Sequence, residues 1–163
     1  MGEQAKDPRF AALYGLMVVE ARITERLDAE LEARAGISLS RLELLLHLHW
    51  KDGRRRMSDL ADALLLSRGG ATRLVAKVEE EGLVRREIPP DDRRATYAVL
   101  TDAGREAAER GFPVYTELQT RLFQDHVSDE EAELLVRIWH RVLDANGMAC
   151  EPISAAAEQL PAG

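Results

Sequence analysis

Arg54, Arg55 and Arg56, then Arg68, Arg73 and Lys77, then Arg85, Arg86, Arg93 and Arg94 crowd into one stretch of a 163-residue chain. Residues 51–94 hold 11 of the 22 Lys and Arg but only 9 of the 29 Asp and Glu. That segment carries a balance of +2, and the remaining residues carry −9 against a formal total of −7. Clustered cations of this kind neutralise phosphates, and a guanidinium can also make a paired contact to a guanine edge. The plainer reading is a set of solvated charges on surface helices. An acidic total argues against nucleic-acid binding, so the uneven distribution is what matters.

Other chemistry finds little support. There is no Gly-rich phosphate loop, no G-x-S-x-G and no spaced set of metal ligands, so neither an enzyme nor a metal or cofactor site is expected. His47 and His49 are two apart and would point in different directions on a helix; His126 and His140 stand alone. The single cysteine, Cys150, excludes an internal disulfide, and Glu151 beside it disfavours a reactive thiolate. Residues 1–9 are polar and no apolar run is long enough for a signal peptide or a membrane span, which makes the cytoplasm the default location. With 45% apolar, 31% charged and 5% aromatic residues, the chain reads as one globular unit with an aliphatic core.

The elements that must position the cations follow from spacing. Pro8 suits a helix start, and Leu13, Leu16, Met17, Ile23, Leu27 and Leu31 continue it to Ala35, where Gly36 ends it. Ser40 and Glu43 form a capping-box pattern before a helix carrying Leu42, Leu45, Leu46 and Trp50. Asp52-Gly53 is a turn. Ser58 is placed to cap a short helix with Leu60, Ala61 and Leu64, and Ser67 to cap the next, which runs to Gly82. The period then changes to 2: Val84 to Ile88 and Ala95 to Leu100, with Tyr97 and Val99 on one face, make a β-hairpin around Pro89-Pro90-Asp91-Asp92. Thr101 caps a helix to about Gln124 that Gly111 and Pro113 should interrupt. Ser128 and Glu131 open a last helix carrying Leu135, Ile138, Trp139, Val142 and Leu143, which Asn146-Gly147 stops. The chain is therefore mainly α with a small β-hairpin wing: a winged helix-turn-helix at 40–101, a helix at 8–35 before it, helices at 102–146 after it, and a tail at 147–163 expected to be mobile.

The helix after Ser67 has the properties of a DNA reader. Ala71, Leu74, Val75 and Val78 share one face; Gly69, Thr72, Arg73, Ala76 and Lys77 lie on or beside the other. Ser67, Arg68, Gly69 and Gly70 form a first turn whose free N–H groups favour phosphate and whose glycines allow close approach. Thr72 and Arg73 are placed to meet base edges, and Glu79, Glu80 and Glu81 come only at the far end. The hairpin tip offers Asp92, Arg93 and Arg94. An arginine on a narrow projection suits the minor groove, and Asp92 is expected to pair with Arg94 and fix the tip.

Asp92, Arg94, Leu100 and Thr101 stand in the spacing D-x-R-x-x-x-x-x-L-T. Together with Leu66-Ser67, Thr72-Arg73-Leu74 and Glu81-Gly82-Leu83-Val84, they make this chain resemble the multiple antibiotic resistance regulator (MarR) family over roughly residues 8–145. The resemblance implies a homodimer whose outer helices intertwine, with the acidic residues kept largely in that region. It implies binding to palindromic double-stranded DNA with half-sites about one helical turn apart. It also implies a repressor that leaves its operator when a small aromatic or phenolic effector binds. Tyr14, His49, Trp50 and Tyr115 are candidates to line an effector pocket; core and dimer packing is the competing reading. The alternative function is a winged-helix protein-interaction module that never touches DNA.

Overall fold

The computed structural model describes residues 7–92 and 94–148. Its elements in chain order are α1 (Pro8–Ala35), α2 (Leu39–His49), β1 (Arg54–Arg56), α3 (Met57–Ala63), α4 (Arg68–Glu80), β2 (Val84–Glu87), β3 (Tyr97–Leu100), α5 (Asp102–Leu122), a short 3-10 turn (Gln124–His126) and α6 (Asp129–Ala145). A mainly helical chain with a small antiparallel sheet is what the residue pattern predicts. Most of the tail expected from residue 147 lies outside the described residues.

The core is built on α2, where Leu39, Leu42, Leu44, Leu45, Leu46 and Leu48 are all buried. Six leucines in ten positions cover more than one face, so α2 is wrapped on several sides rather than lying on a surface. The C-terminal half of α1 packs against it through Leu27 and Leu31, and α5 through Ala107, Ala108 and Leu118. Val75, Val78, Val84, Ala98 and Leu100 bring α4 and the wing into the same core.

Helix boundaries with local caps form as the sequence predicts. Pro8 occupies the first turn of α1, and Gly36 ends it with φ +69°. Ser67 accepts the Gly70 N–H and Thr101 the Gly104 N–H. Ser128 and Glu131 complete a reciprocal capping box, with the Ser128 N–H donating to Glu131 at 2.9 Å and the Glu131 N–H to Ser128 Oγ at 3.3 Å.

Several expectations need correction. Ser40 and Glu43 form no capping box: α2 begins at Leu39, Ser38 is its N-cap without a side-chain bond, and Asp28 of α1 accepts the Leu39 N–H at 2.8 Å. A neighbouring helix supplies the cap, and Glu43 is partly buried instead. Ser58 is not the cap of α3, which starts one residue earlier after Arg56; its hydroxyl donates to Asp59. Gly111 and Pro113 do not interrupt α5, which runs unbroken from Asp102 to Leu122. Pro113 faces solvent. Gly111 meets α2 so closely that a Cβ there would lie 2.6 Å from Leu42 Cδ1.

The wing is a sheet of three strands rather than a hairpin of two. Arg54–Arg56 pairs antiparallel with β3, giving the order β1-β3-β2. Three consecutive arginines make an edge strand because pairing uses the backbone alone: Arg54 and Arg56 are exposed, and the half-buried Arg55 lies 3.5 Å from His47 Nδ1. Arg54 lies 3.6 Å over the Tyr97 ring. Ala98 and Leu100 point into the core, leaving Tyr97 and Val99 half-buried on the outer face.

Two apolar surfaces are left uncovered. The N-terminal half of α1 exposes Phe10, Leu13, Tyr14, Leu16, Met17, Val18 and Val19. Helix α6 has no fully buried residue, and Leu134 and Val142 are exposed. Among the described residues no helix is long and apolar enough to cross a membrane.

Candidate nucleic-acid interface

Helix α4 presents its polar stripe outward because Ala71, Val75 and Val78 are held in the core. Arg68, Gly69, Thr72, Arg73 and Lys77 are exposed and Ala76 partly so. Ser67 Oγ stands 3.1 Å from the Gly70 N–H, ordering the first turn. The Thr72 hydroxyl donates to the Arg68 carbonyl at 2.8 Å, which leaves its oxygen lone pairs and its methyl group for other contacts.

The ion pairs are distributed unevenly. Arg68, Arg73, Lys77 and Arg94 form no ion pair among the described residues. Most other arginines do: Arg34 with Glu117, Arg41 with Glu32 and Glu81, Arg54 and Arg85 with Glu87, Arg86 with Glu79. Two of the three acids at the far end of α4, Glu79 and Glu81, are themselves compensated. Arg86 donates to Glu79 through both its guanidinium, at 2.6 Å, and its backbone N–H, at 2.8 Å, and holds that carboxyl below the usual carboxylate range. Arg41 meets Glu81 at 2.7 Å. The sequence placed these acids at the far end of the helix but gave no sign of their partners.

At the tip of the wing, Asp92 Oδ1 accepts the backbone N–H of Arg94 at 3.0 Å and the Asp92 carbonyl accepts from Ala95 at 3.1 Å. The other Asp92 oxygen lies 3.9 Å from Arg56. Asp92 therefore fixes the tip through the backbone of Arg94, not through the expected pairing with its side chain. Arg93 lies outside the described residues. Behind the tip, Glu87 bridges Arg85 and Arg54, and its carboxyl is held low, first by Arg85.

Leu100 and Thr101 explain the rest of the D-x-R…L-T spacing. Leu100 is buried in the core. The Thr101 hydroxyl lies 2.8 Å from the Gly82 carbonyl and 2.9 Å from that of Leu83, and it accepts the Gly104 N–H at 3.0 Å. The exit of α4, the root of the wing and the start of α5 meet at this one side chain. Gly104 must lack a Cβ there, since one would stand 2.0 Å from the Leu83 carbonyl oxygen.

Of the four residues proposed to line an effector pocket, His49 and Trp50 come together. With Leu46, Ala108, Glu109 and Phe112 they line a cleft of about 190 Å³ between α2 and α5. Arg105 reaches His49 Nδ1 at 3.3 Å, and Trp50 meets Phe112 edge to face at 6.2 Å. Tyr115 packs elsewhere on the α2–α5 contact; burial first, and the nearby Glu43 carboxylate second, push its phenol up to about 12. Tyr14 is exposed on α1. The α5 residues of this cleft were missed by sequence reasoning, because only packing shows which turn of α5 faces Trp50. Among the described residues no three His, Cys, Asp or Glu side chains are grouped to hold a metal ion. Cys150 lies outside the described residues.

Comparison with known proteins agrees with this geometry. A family model described as MarR family matches residues 35–95. The uncharacterized HTH-type transcriptional regulator YdgJ of Bacillus subtilis (strain 168) is 33% identical over 120 residues, 74% of this chain and 72% of that protein. Its counterpart YkoM from the same organism is 33% identical over 92 residues, 56% of this chain and 60% of its own length, so less than two thirds of YkoM is spanned. Among solved structures, AbsC, a MarR family transcriptional regulator from Streptomyces coelicolor, superposes with a TM-score of 0.81 at 28% identity, covering 88% of this chain and 97% of AbsC. Sco3205, a MarR family regulator from the same organism solved in complex with DNA, gives 0.78 at 28% identity over 83% and 85% of the two chains.

Proposed function

This chain belongs to the MarR family of transcriptional regulators, and from that premise we propose that it is a homodimeric repressor that reads an inverted-repeat operator in double-stranded DNA and releases it on binding a small aromatic or phenolic effector. The observation that carries the reading is the placement of uncompensated cations. Arg68, Arg73, Lys77 and Arg94 sit on the recognition helix and the wing with side chains that form no ion pair among the described residues, in a chain whose formal charge is −7. An unpaired guanidinium on such a surface is available to phosphate and base edges at no cost of breaking an ion pair.

In this reading Ser67, Arg68, Gly69 and Gly70 approach the backbone of the duplex. Thr72 and Arg73 read base edges in the major groove, Lys77 adds a phosphate contact, and Arg93 and Arg94 enter the minor groove. Asp92 holds the tip in shape. The exposed apolar faces of α1 and α6 form the dimer, since runs of large apolar side chains left in water on these helices call for a partner. Two copies related by a two-fold axis then present two recognition helices to half-sites about one turn apart. The cleft at His49 and Trp50 receives the effector, with His49, itself contacted by Arg105, and Glu109 as its polar groups and Trp50 and Phe112 on its walls. The protein acts in the cytoplasm.

Selection of bound fragments from random duplex DNA, run in parallel on the wild type and Arg94→Ala, tests this. The expected result is an enriched inverted repeat that is weakened or lost in the variant. No enrichment from folded, dimeric wild-type protein would instead favour a winged helix that docks on another protein.

A further inference from the structure

Apart from the faces of α1, α6 and the residue Met148 just beyond it, exposed large apolar side chains occur at three described positions: Leu65, Leu66 and Ile88. All three flank the cationic surface. Leu65 and Leu66 form the turn from α3 into α4, immediately before the N-cap Ser67; Ile88 follows β2 at the base of the wing tip. Leu66 is the least exposed of them, at 38%, and its Cβ side faces Gly70. Leu65 is 83% exposed and Ile88 62%.

Leu65 is costly in two ways. Its side chain is in water. Its backbone has φ +53°, the left-handed region that glycine adopts freely and a leucine does not. The turn around it is a helix C-terminal motif: the Leu65 N–H donates to the Asp62 backbone carbonyl at 3.1 Å and the Leu66 N–H to the Ala61 carbonyl at 2.9 Å. That motif takes glycine by preference at the left-handed position. A leucine there gains nothing visible within the chain, and strain kept at an exposed position points to an external contact.

We infer that Leu65 and Ile88 are apolar contacts to the DNA, Leu65 against the thymine methyls and sugars lining the major groove beside α4, and Ile88 against the sugar walls of the minor groove beside Arg94. The inference rests on the DNA-reading function proposed above. The duplex is the partner its surroundings fit: Arg68 and Arg73 follow Leu65 on α4, and Arg94 stands across the wing turn from Ile88. The side chains of those cations form no ion pair among the described residues, so the surface they make beside both apolar groups attracts a polyanion. Thymine methyls and deoxyribose edges are the apolar groups a duplex offers there.

The test uses full-length protein and a labelled duplex bearing the inverted repeat enriched by the wild type. Leu65→Gly should melt no lower than the wild type, since the strain is relieved, yet bind about tenfold more weakly, the worth of partly burying one leucine. The slope of log affinity against log salt should stay unchanged, because no phosphate contact is lost. Leu65→Met, which keeps the apolar side chain, should retain most of the affinity, and Ile88→Thr should weaken binding several-fold, again with the slope unchanged. Undiminished binding by Leu65→Gly and Ile88→Thr would overturn this inference alone. A wild type that enriches no sequence and binds no duplex would overturn the parent reading and this inference with it.

Discussion

Asp92 grips the backbone N–H of Arg94 at 3.0 Å while the Arg94 guanidinium pairs with no acid among the described residues. The carboxylate orders the tip without neutralising the charge the tip presents. The two residues should therefore fail differently. Arg94→Ala should lower operator affinity and reduce the salt slope by about one. Asp92→Ala should lower affinity by loosening the turn while leaving the slope near its wild-type value. Fluorescence anisotropy titrations across a range of salt concentrations separate the two.

Arg73 is proposed to read a base, so Arg73→Ala should relax preference at a single operator position, costing about 1–3 kcal/mol at the preferred base and little elsewhere. A set of duplexes substituted one base pair at a time would show this. A uniform loss over all sequences would assign Arg73 to phosphate instead.

The joint at Thr101 makes Gly104 indispensable. Gly104→Ala places a Cβ 2.0 Å from a backbone carbonyl oxygen, and backbone must move to admit it. We expect a loss of roughly 3 kcal/mol in stability. Gly111→Ala meets side chains rather than backbone, the Leu42 methyls at 2.6 and 3.1 Å and Ile37 Cγ2 at 3.4 Å, which can shift, so it should cost less. Thermal and urea melts of the pair give the order directly.

The dimer assignment rests on exposed apolar faces. Leu13 and Met17 stand one helical turn apart on α1 and are both exposed. Leu13→Glu combined with Met17→Glu should give a folded monomer by sedimentation velocity and abolish high-affinity operator binding. A variant that stays dimeric would place the interface elsewhere.

Glu43 and Tyr115 set a pH dependence. Burial pushes the Glu43 carboxyl up from its ordinary value. The folded state then holds its proton more tightly than the unfolded chain, so stability falls as pH rises from the ordinary carboxylate value through the raised one. Glu43→Gln should thus stabilise the protein at neutral pH, with a gain that shrinks as the solution is acidified. At the alkaline end, the Tyr115 phenol at about 12 ionises well after an ordinary tyrosine. Stability should fall from about pH 10 toward 12. Phenolate absorbance shows a late-titrating tyrosine, and Tyr115→Phe should remove it.

What was legible in the residues was local. Pro8 and Gly36 bound α1, Ser67 and Thr101 cap α4 and α5, and Ser128 with Glu131 closes both halves of a box, because each involves groups within a few positions of one another. The polar stripe of α4 was equally readable, since helical period alone puts Arg73 opposite Val75 and Val78. Signals that need a distant partner misled. Ser40 and Glu43 have the spacing of a capping box, yet Asp28 reaches the Leu39 N–H first. Three arginines in a row carry no strand signal, yet β3 offers β1 an edge to pair with. Gly111 looks like a break in α5 until Leu42 is seen lying against it.

By itself the sequence determined the order of the elements, the recognition helix with its cap, the wing spacing and the family resemblance, because these follow from periodicity and short-range hydrogen bonding. Only the tertiary structure decided which charges stay uncompensated. Arg86 lies across from Glu79 and Arg41 from Glu81, whereas the Arg73 and Arg94 guanidinium groups form no ion pair among the described residues. A guanidinium is neutralised by whichever carboxylate folding brings within reach, and that partner is fixed by the packing of separate elements, not by the spacing of residues along the chain.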